Sequence, residues 1–345
     1  MSGISTLGQS LTQISRIKDQ QTLMDQLQTQ IASGKKAPLF TDLGLDGFTS
    51  QKARANFNTL DSYLTNITRG DIKIKQMLNS LSDIKTQAKN ALDALSGQTQ
   101  QGNIELTNIK QIASNAFDIV VQNLNAKDGD TYLFGGSNTK TPPIRDTGVM
   151  DTFFQTLNNE WSNGTLPFTP PDNITDEYAN QYHNMPDVTA GYSGSLVDAK
   201  HVFVRSDTHI DEDYTVLANE GPLKDILSVL GAIKNFPDAQ DAPGATDTEK
   251  QDNYFQAFNE LASTLTNAID STQRLEFRLN TVQVNLDQAS KQHQEDKNIL
   301  LNTISNVEDA DMSEVALKFN TLQIQLEASY RVTAATSDLS LVNYL

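Results

Sequence analysis

Nine of the chain's ten prolines fall between Pro142 and Pro243, and the tenth is Pro38. A proline inside a helix costs about 3 kcal/mol, through its missing N–H and its clash with the preceding turn. Residues 1–140 and 251–345 are therefore free to form long helices, and residues 141–250 are not. Charge changes at the same places. Basic residues number 14 against 12 acidic in 1–140, 6 against 18 in 141–250, and 6 against 13 in 251–345. The two ends are alike in kind, and the acidic middle reads as an insert.

Both ends carry apolar stripes whose spacing alternates between three and four residues. One runs from Phe57 through Leu60, Leu64, Ile67, Asp71, Ile74, Leu78, Leu81, Lys85, Ala88, Leu92 and Leu95. The other runs through Phe258, Leu261, Leu265, Ala268, Thr272, Leu275, Leu279, Val282, Leu286, Ala289, His293, Asp296 and Leu300. Such spacing places one seam along a helix and calls for a partner helix. At 1.5 Å per residue a helix of about 43 residues is on the order of 65 Å long. Asp71, Lys85, His293 and Asp296 interrupt the seams, either as residues that set register or because the bundle opens to solvent there.

Punctuation agrees with long helices. The first, from about Ile4 to Ser33, stops at Gly34 with Lys35, Lys36 and Pro38 following. Turn formers between Asp42 and Gly47 precede a helix over 50–97, which Ser96-Gly97 closes. Asn103 caps another helix over 103–125. Asp311-Met-Ser-Glu314 has the spacing of a capping box and opens a terminal helix over 311–339. Within 141–250, Asp151–Trp161 and Pro222–Phe236 read as short amphipathic helices. His201–Arg205 and Tyr214–Ala218 have strand composition, with Asp211-Glu-Asp213 in the turn between them. The fold class is mainly α: N- and C-terminal long helices paired in a coiled-coil rod, with a small mixed α/β, hairpin-containing domain inserted in the middle.

Composition excludes much chemistry. A formal net charge of −17 opposes binding to a phosphate backbone. The absence of cysteine removes disulfides, thiol catalysis and thiolate metal sites. The four histidines, at 183, 201, 209 and 293, are too scattered for a metal cluster, and no window approaches 18 apolar residues. Asp207 with Asp211, Glu212 and Asp213 lacks the spacing and central glycine of a calcium loop and reads as a solvated acidic turn. Gly135-Gly136 precedes no helix and reads as a tight turn, not a phosphate cradle. No catalytic residue, cofactor or metal site is assigned, and the chain is read as a non-enzyme.

Four stretches carry a family resemblance. Ile31-Ala-Ser-Gly-Lys-Lys36 resembles the stretch that ends the first helix of bacterial flagellins, and Glu308-Asp-Ala-Asp-Met-Ser-Glu314 the one that opens their C-terminal helix. Gly129-Asp-Thr-Tyr-Leu-Phe-Gly-Gly136 with Thr141-Pro-Pro143, and Leu326-Glu-Ala-Ser-Tyr330 with the ending Ser340–Leu345, are similar to hook-associated members of the flagellin family. The resemblance covers about residues 1–140 and 251–345 and fades in 141–250. Leu43-Gly-Leu-Asp-Gly47 and Asn302-Thr-Ile-Ser-Asn306 depart from the patterns of filament subunits and favour the members at the hook–filament junction.

The resemblance implies a structural subunit that joins hook to filament and leaves the cell by the flagellar type III route without a cleaved signal peptide. Its implied partners are itself in a ring or helical assembly, a neighbouring hook-associated protein on the hook side, flagellin on the filament side, and a flagellar export chaperone. Nucleic acid and membrane insertion are not expected. The assembly residues it points to are Ile4, Leu7, Leu11, Ile14 and Ile17 in the first helix. In the last they are Val315, Phe319, Leu322, Leu326, Leu341, Tyr344 and Leu345. Phe57, Leu60, Leu64, Ile67, Ile74, Leu78, Leu81, Leu261, Leu265, Leu275, Leu279, Val282 and Leu286 form the rod seam. About 30 residues at each end are expected to be mobile in the monomer and to order against neighbours. A filament-forming flagellin is the nearest alternative, and an adhesin or enzyme domain displayed on a helical stalk is the alternative of another class.

Overall fold

The computed structural model describes residues 2–99, 106–169, 173–187 and 191–338. In chain order the elements are α1 (Ser2–Ser33), α2 (Leu45–Thr99), α3 (Leu106–Leu124), β1 (Lys127–Asp128), β2 (Thr131–Tyr132), α4 (Thr147–Ser162), α5 (Ile174–His183), α6 (Gly194–Val197), β3 (Phe203–Asp207), β4 (Ile210–Asp213), α7 (Gly221–Lys234), α8 (Asp247–Glu308) and α9 (Met312–Asp338). The fold is mainly α, with long helices in both terminal parts and two small antiparallel hairpins, β1–β2 and β3–β4, in the middle. The chain divides into two compact units, Met1–Ser62 with Gln292–Leu345, and Tyr63–Lys291. These boundaries fall inside α2 and α8, not at the edges of the proline-rich middle.

In the Tyr63–Lys291 unit, α2 and α8 run antiparallel, linked by Gln283 donating to Asp71 at 2.8 Å and by the Lys85–Glu276 ion pair. The buried stripe of α2 is Ile67, Gly70, Ile74, Met77, Leu81, Ile84, Ala88, Ala91 and Leu95. It keeps the three-four rhythm but uses Gly70, Met77, Ile84 and Ala91 where the spacing put Asp71, Leu78, Lys85 and Leu92. The substituted positions lie beside the seam. Leu78 packs half-buried against it, and Asp71 and Lys85 find partners on α8, so polar groups flank the stripe without breaking it. On α8 the buried stripe is Leu261, Leu265, Ala268, Thr272, Leu275, Leu279, Val282 and Leu286.

The middle folds onto these helices. α7 is buried on nearly every side, from Leu223 to Ile233, because α3, α4 and α5 all pack against it. At one end Trp161, Tyr178, Phe236, Tyr254 and Phe258 form an aromatic cluster, with Trp161–Phe236 ring centroids 5.3 Å apart and Phe236–Phe258 at 4.9 Å. Buried Asn158 is satisfied on both sides, accepting from Tyr178 Oη at 2.6 Å and donating to the Ala232 carbonyl at 3.1 Å.

The second hairpin corrects the sequence reading. Phe203–Asp207 pairs with Ile210–Asp213, so Asp211, Glu212 and Asp213 lie in a strand and Tyr214–Ala218 lies outside it. Strand propensity lost to charge pairing. Arg205 donates to both carboxylate oxygens of Asp211 at 2.9 and 3.0 Å, His201 meets Asp213 at 2.6 Å, and Asn285 of α8 reaches Glu212 at 3.3 Å. The first hairpin was not anticipated; its turn is Gly129-Asp130, with Gly129 at φ +56°. Gly135 accepts from the Asn138 N–H at 3.1 Å, closing a turn with Gly136 at φ +57°.

Helix ends shift for identifiable reasons. α2 starts at Leu45 and not at 50 because Gly44, at φ +60°, takes the turn alone and Asp46 and Gly47 join the helix. It continues through Ser96-Gly97 to Thr99. The expected cap Asn103 lies outside the described residues. At α9, Asp311 accepts from the Ser313 and Glu314 N–H groups at 2.9 and 3.2 Å. Glu314 pairs with Lys318 at 2.6 Å and does not return the bond, so the cap forms without the box.

Candidate assembly interface

The unit built from the chain's two ends has a small core. α1 and α9 pack antiparallel, with Leu27, Val315, Leu322 and Leu326 buried between them and Ile17, Met24, Ala310 and Phe319 half-buried around them. Farther along, Gln21 donates to Tyr330 Oη at 2.8 Å.

Both helices also carry apolar residues that this pairing leaves uncovered. Leu11, Ile14, Leu23 and Ile31 are exposed on α1, and Met312, Leu317, Ile324, Tyr330 and Val332 on α9. Leu317 and Ile324 stand seven residues apart, 68% and 69% exposed, while Val315 and Leu322 are 6% and 5% exposed. α9 is thus apolar on two faces and covered on one. The link between α1 and α2 adds Leu39, Phe40, Leu45 and Phe48, with Leu45 at 92% exposure. Ile299 and Leu301 of α8 are exposed as well. Of 23 exposed large hydrophobic residues among those described, 15 lie in this smaller unit.

A polar node fixes where the ends meet. Glu308, 5% exposed, receives Arg54 Nε at 2.7 Å and Nη2 at 2.6 Å, the Ser50 hydroxyl, and Lys35 Nζ at 3.2 Å. Lys35 also reaches Asp309 at 2.6 Å. The backbone closes around these side chains: Lys36 N–H donates to the Glu308 carbonyl at 2.7 Å and Ala310 N–H to the Gly34 carbonyl at 2.9 Å. The Arg54 hydrogen bonds, then those of Ser50 and Lys35, outweigh desolvation and hold the Glu308 carboxyl at about 2. Beside the node an open notch of about 400 Å³ is lined by Phe57, Leu301 and Ile304 with Lys35, Arg54, Asn58, Ser305 and Asp309. The stretches Ile31–Lys36 and Glu308–Glu314, far apart in sequence, therefore meet here.

The residues singled out from sequence divide clearly. Ile17, Val315, Phe319, Leu322 and Leu326 pack between α1 and α9, whereas Leu11 and Ile14 are exposed. The side chains of Ile4 and Leu7, and residues Leu341, Tyr344 and Leu345, lie outside the described residues. Ile67, Ile74, Leu81, Leu261, Leu265, Leu275, Leu279, Val282 and Leu286 are buried; Phe57, Leu60 and Leu64 are half-buried. His293 is buried and Asp296, half-buried, accepts from Gln292 at 3.2 Å. Sequence reasoning missed Glu308, Arg54 and Ser50, although Glu308 sits one turn after Ile304 on the buried stripe. It also missed the second apolar face of α9, whose signal was the Leu317–Ile324 spacing.

Among the described residues no group of three or more His, Asp or Glu side chains is arranged to hold a metal ion, and no helix is long and apolar enough to cross a membrane.

Residues 262–345 match the family model of the bacterial flagellin C-terminal helical region. No curated protein matches the chain. Among solved structures, one described as "putative flagellar hook-associated protein from Vibrio parahaemolyticus" aligns at 13% identity and a TM-score of 0.46, over 76% of this chain and 97% of that one. The matched segment contains α8 from Ala262 onward, including Glu308, and all of α9.

Proposed function

We propose that the chain is a structural subunit of the bacterial flagellum, placed at the junction of hook and filament, and that it works by association and not by catalysis. The observation that carries this is the two-faced α9, with Leu322 and Leu326 covered by α1 while Leu317 and Ile324 face solvent. A helix apolar on both sides is ordinarily covered on both sides, and exposed apolar patches of this kind mark interaction surfaces. Burying one Leu or Ile side chain contributes about 1.5–3 kcal/mol. Neighbouring copies laid against α1, α9 and the Leu39–Phe48 link would recover that burial several times over.

In this reading the terminal helices stack against those of adjacent subunits, a hook-associated protein lies on one side and flagellin on the other. The middle faces outward, and an export chaperone covers the terminal helices before export. Junction over filament rests on the resemblance of Gly129–Gly136 and of Ser340–Leu345 to hook-associated members of the flagellin family.

Electron microscopy of flagella from a strain lacking this chain tests the reading. Intact hooks without filaments, with flagellin shed into the medium, are expected. Hooks bearing normal filaments would overturn the junction role, and long polymers formed by the purified chain alone would point to a filament subunit.

A further inference from the structure

A second feature lies in the Tyr63–Lys291 unit. Gly70 of α2 faces Val204 of β3 so closely that a Cβ there would lie 2.2 Å from Val204 Cγ2. The missing side chain lets the hairpin settle on the helix and leaves a notch of about 280 Å³, lined by Asn66, Arg69, Lys73, Phe203, Arg205 and Tyr214 with Gly70 and Val204. That is slightly below the range of drug-sized pockets, which starts at about 300 Å³, and suits a single ring.

Its charge is the reverse of the protein's. In a chain of net charge −17, Arg69 and Lys73 stand one helical turn apart at the notch, and neither forms an ion pair among the described residues. Four carboxylates of the same helix and hairpin have partners of their own. Asp71 is held by Lys75 at 2.7 Å and Gln283 at 2.8 Å, Asp211 by Arg205, Asp213 by His201, and Glu212 by Asn285. Two cations without an ion-pair partner therefore share a recess with an amide, a half-buried tyrosine and a phenylalanine that is 55% exposed and stacks on His201 at 6.3 Å with one face.

We infer that this notch binds an anionic saccharide, with its carboxylate between Arg69 and Lys73 and a ring face on Phe203. Cations answer the acid group, the aromatic face answers the C–H face of a sugar ring, and Asn66 offers a donor and an acceptor to hydroxyls. A bare anion would use the cations and leave the aromatic without a role. An acidic protein segment would not require a recess of one ring's size.

The inference does not depend on assembly and is tested on the monomeric full chain. Titration with tetragalacturonate by calorimetry should give binding that weakens with salt and falls about tenfold in R69Q/K73Q and several-fold in F203S. All three positions line an open notch, so melting temperatures should be unchanged. Independently of any variant, chemical-shift changes should centre on residues 66–73 and 203–205. The neutral galactose tetramer should not bind. Absence of tetragalacturonate binding, equal binding by the variants, or shift changes elsewhere would overturn the inference. Equally strong binding of tetraglutamate or inorganic phosphate would overturn it too, by showing that the notch reads charge alone.

Discussion

Arg54 on α2 and Glu308 at the end of α8 form a two-point contact, Nε to Oε1 at 2.7 Å and Nη2 to Oε2 at 2.6 Å, with the carboxylate buried and the Arg54 side chain 47% exposed. The pair lies between two limits. An exposed pair contributes at most about 1 kcal/mol, and breaking a fully buried one costs about 3–5 kcal/mol. Glu308→Gln should therefore cost roughly 2 kcal/mol, read from faster hydrogen exchange at the Lys36 and Ala310 amides, whose bonds close the same node. The carboxyl is held at about 2 against an ordinary 4.5, so its contribution is complete above about pH 4.5 and is lost as pH falls toward 2. The difference between wild type and variant should shrink across that window; a difference that grew on acidification would contradict the assignment.

α9 offers a test that separates monomer stability from association. Leu317→Glu and Ile324→Glu replace exposed side chains and should change monomer stability by no more than about 0.5 kcal/mol while abolishing assembly and swimming. Leu322→Ala removes a buried contact with α1 and should cost about 2–3 kcal/mol within the monomer. Sedimentation and thermal melting on the same three variants distinguish the faces.

Gly70 sets two preferences against each other. Ala in its place raises helix propensity by about 1 kcal/mol, but its methyl group meets the stiff Val204 side chain, and overpacking costs about 1–3 kcal/mol. Gly70→Ala should therefore be destabilising by about 1 kcal/mol in urea. Gly70→Ala with Val204→Ala should recover much of the loss; no recovery would place the strain elsewhere.

Tyr178→Phe leaves the Asn158 Oδ1 without the 2.6 Å bond it accepts. An unsatisfied buried acceptor costs about 1–3 kcal/mol, so the variant should melt several degrees lower with its aromatic packing intact. An unchanged melting temperature would mean that another donor reaches Asn158.

Much of the architecture was legible because prolines and three-four spacing act locally. What was not legible depended on partners distant in sequence. Asp71 and Lys85 seemed to break the seam because the spacing could not show that Gly70 and Ile84 turn inward while Gln283 and Glu276 wait on α8. The acidic run Asp211–Asp213 read as a turn because a strand so charged needs Arg205, His201 and Asn285 beside it. Glu308 lies in a recognisable motif, yet its task depends on Arg54, Ser50 and Lys35, which the fold brings around it. The outward face of α9 is legible from periodicity alone, as a second stripe through Leu317 and Ile324.

Lys35 and Glu308 are 273 residues apart, which bears on the order in which the molecule can fold. Joining ends so distant in an open chain carries a closure entropy that grows with loop length, and contacts of such long range form slowly. Once Tyr63–Lys291 has folded, its own antiparallel stretches of α2 and α8 bring the flanking chain together and remove most of that loop. Closure at Glu308 is then the late event. Until it occurs the chain has a finished middle and two unjoined ends, and the time spent in that state sets how long the apolar faces of α1 and α9 are open to other molecules.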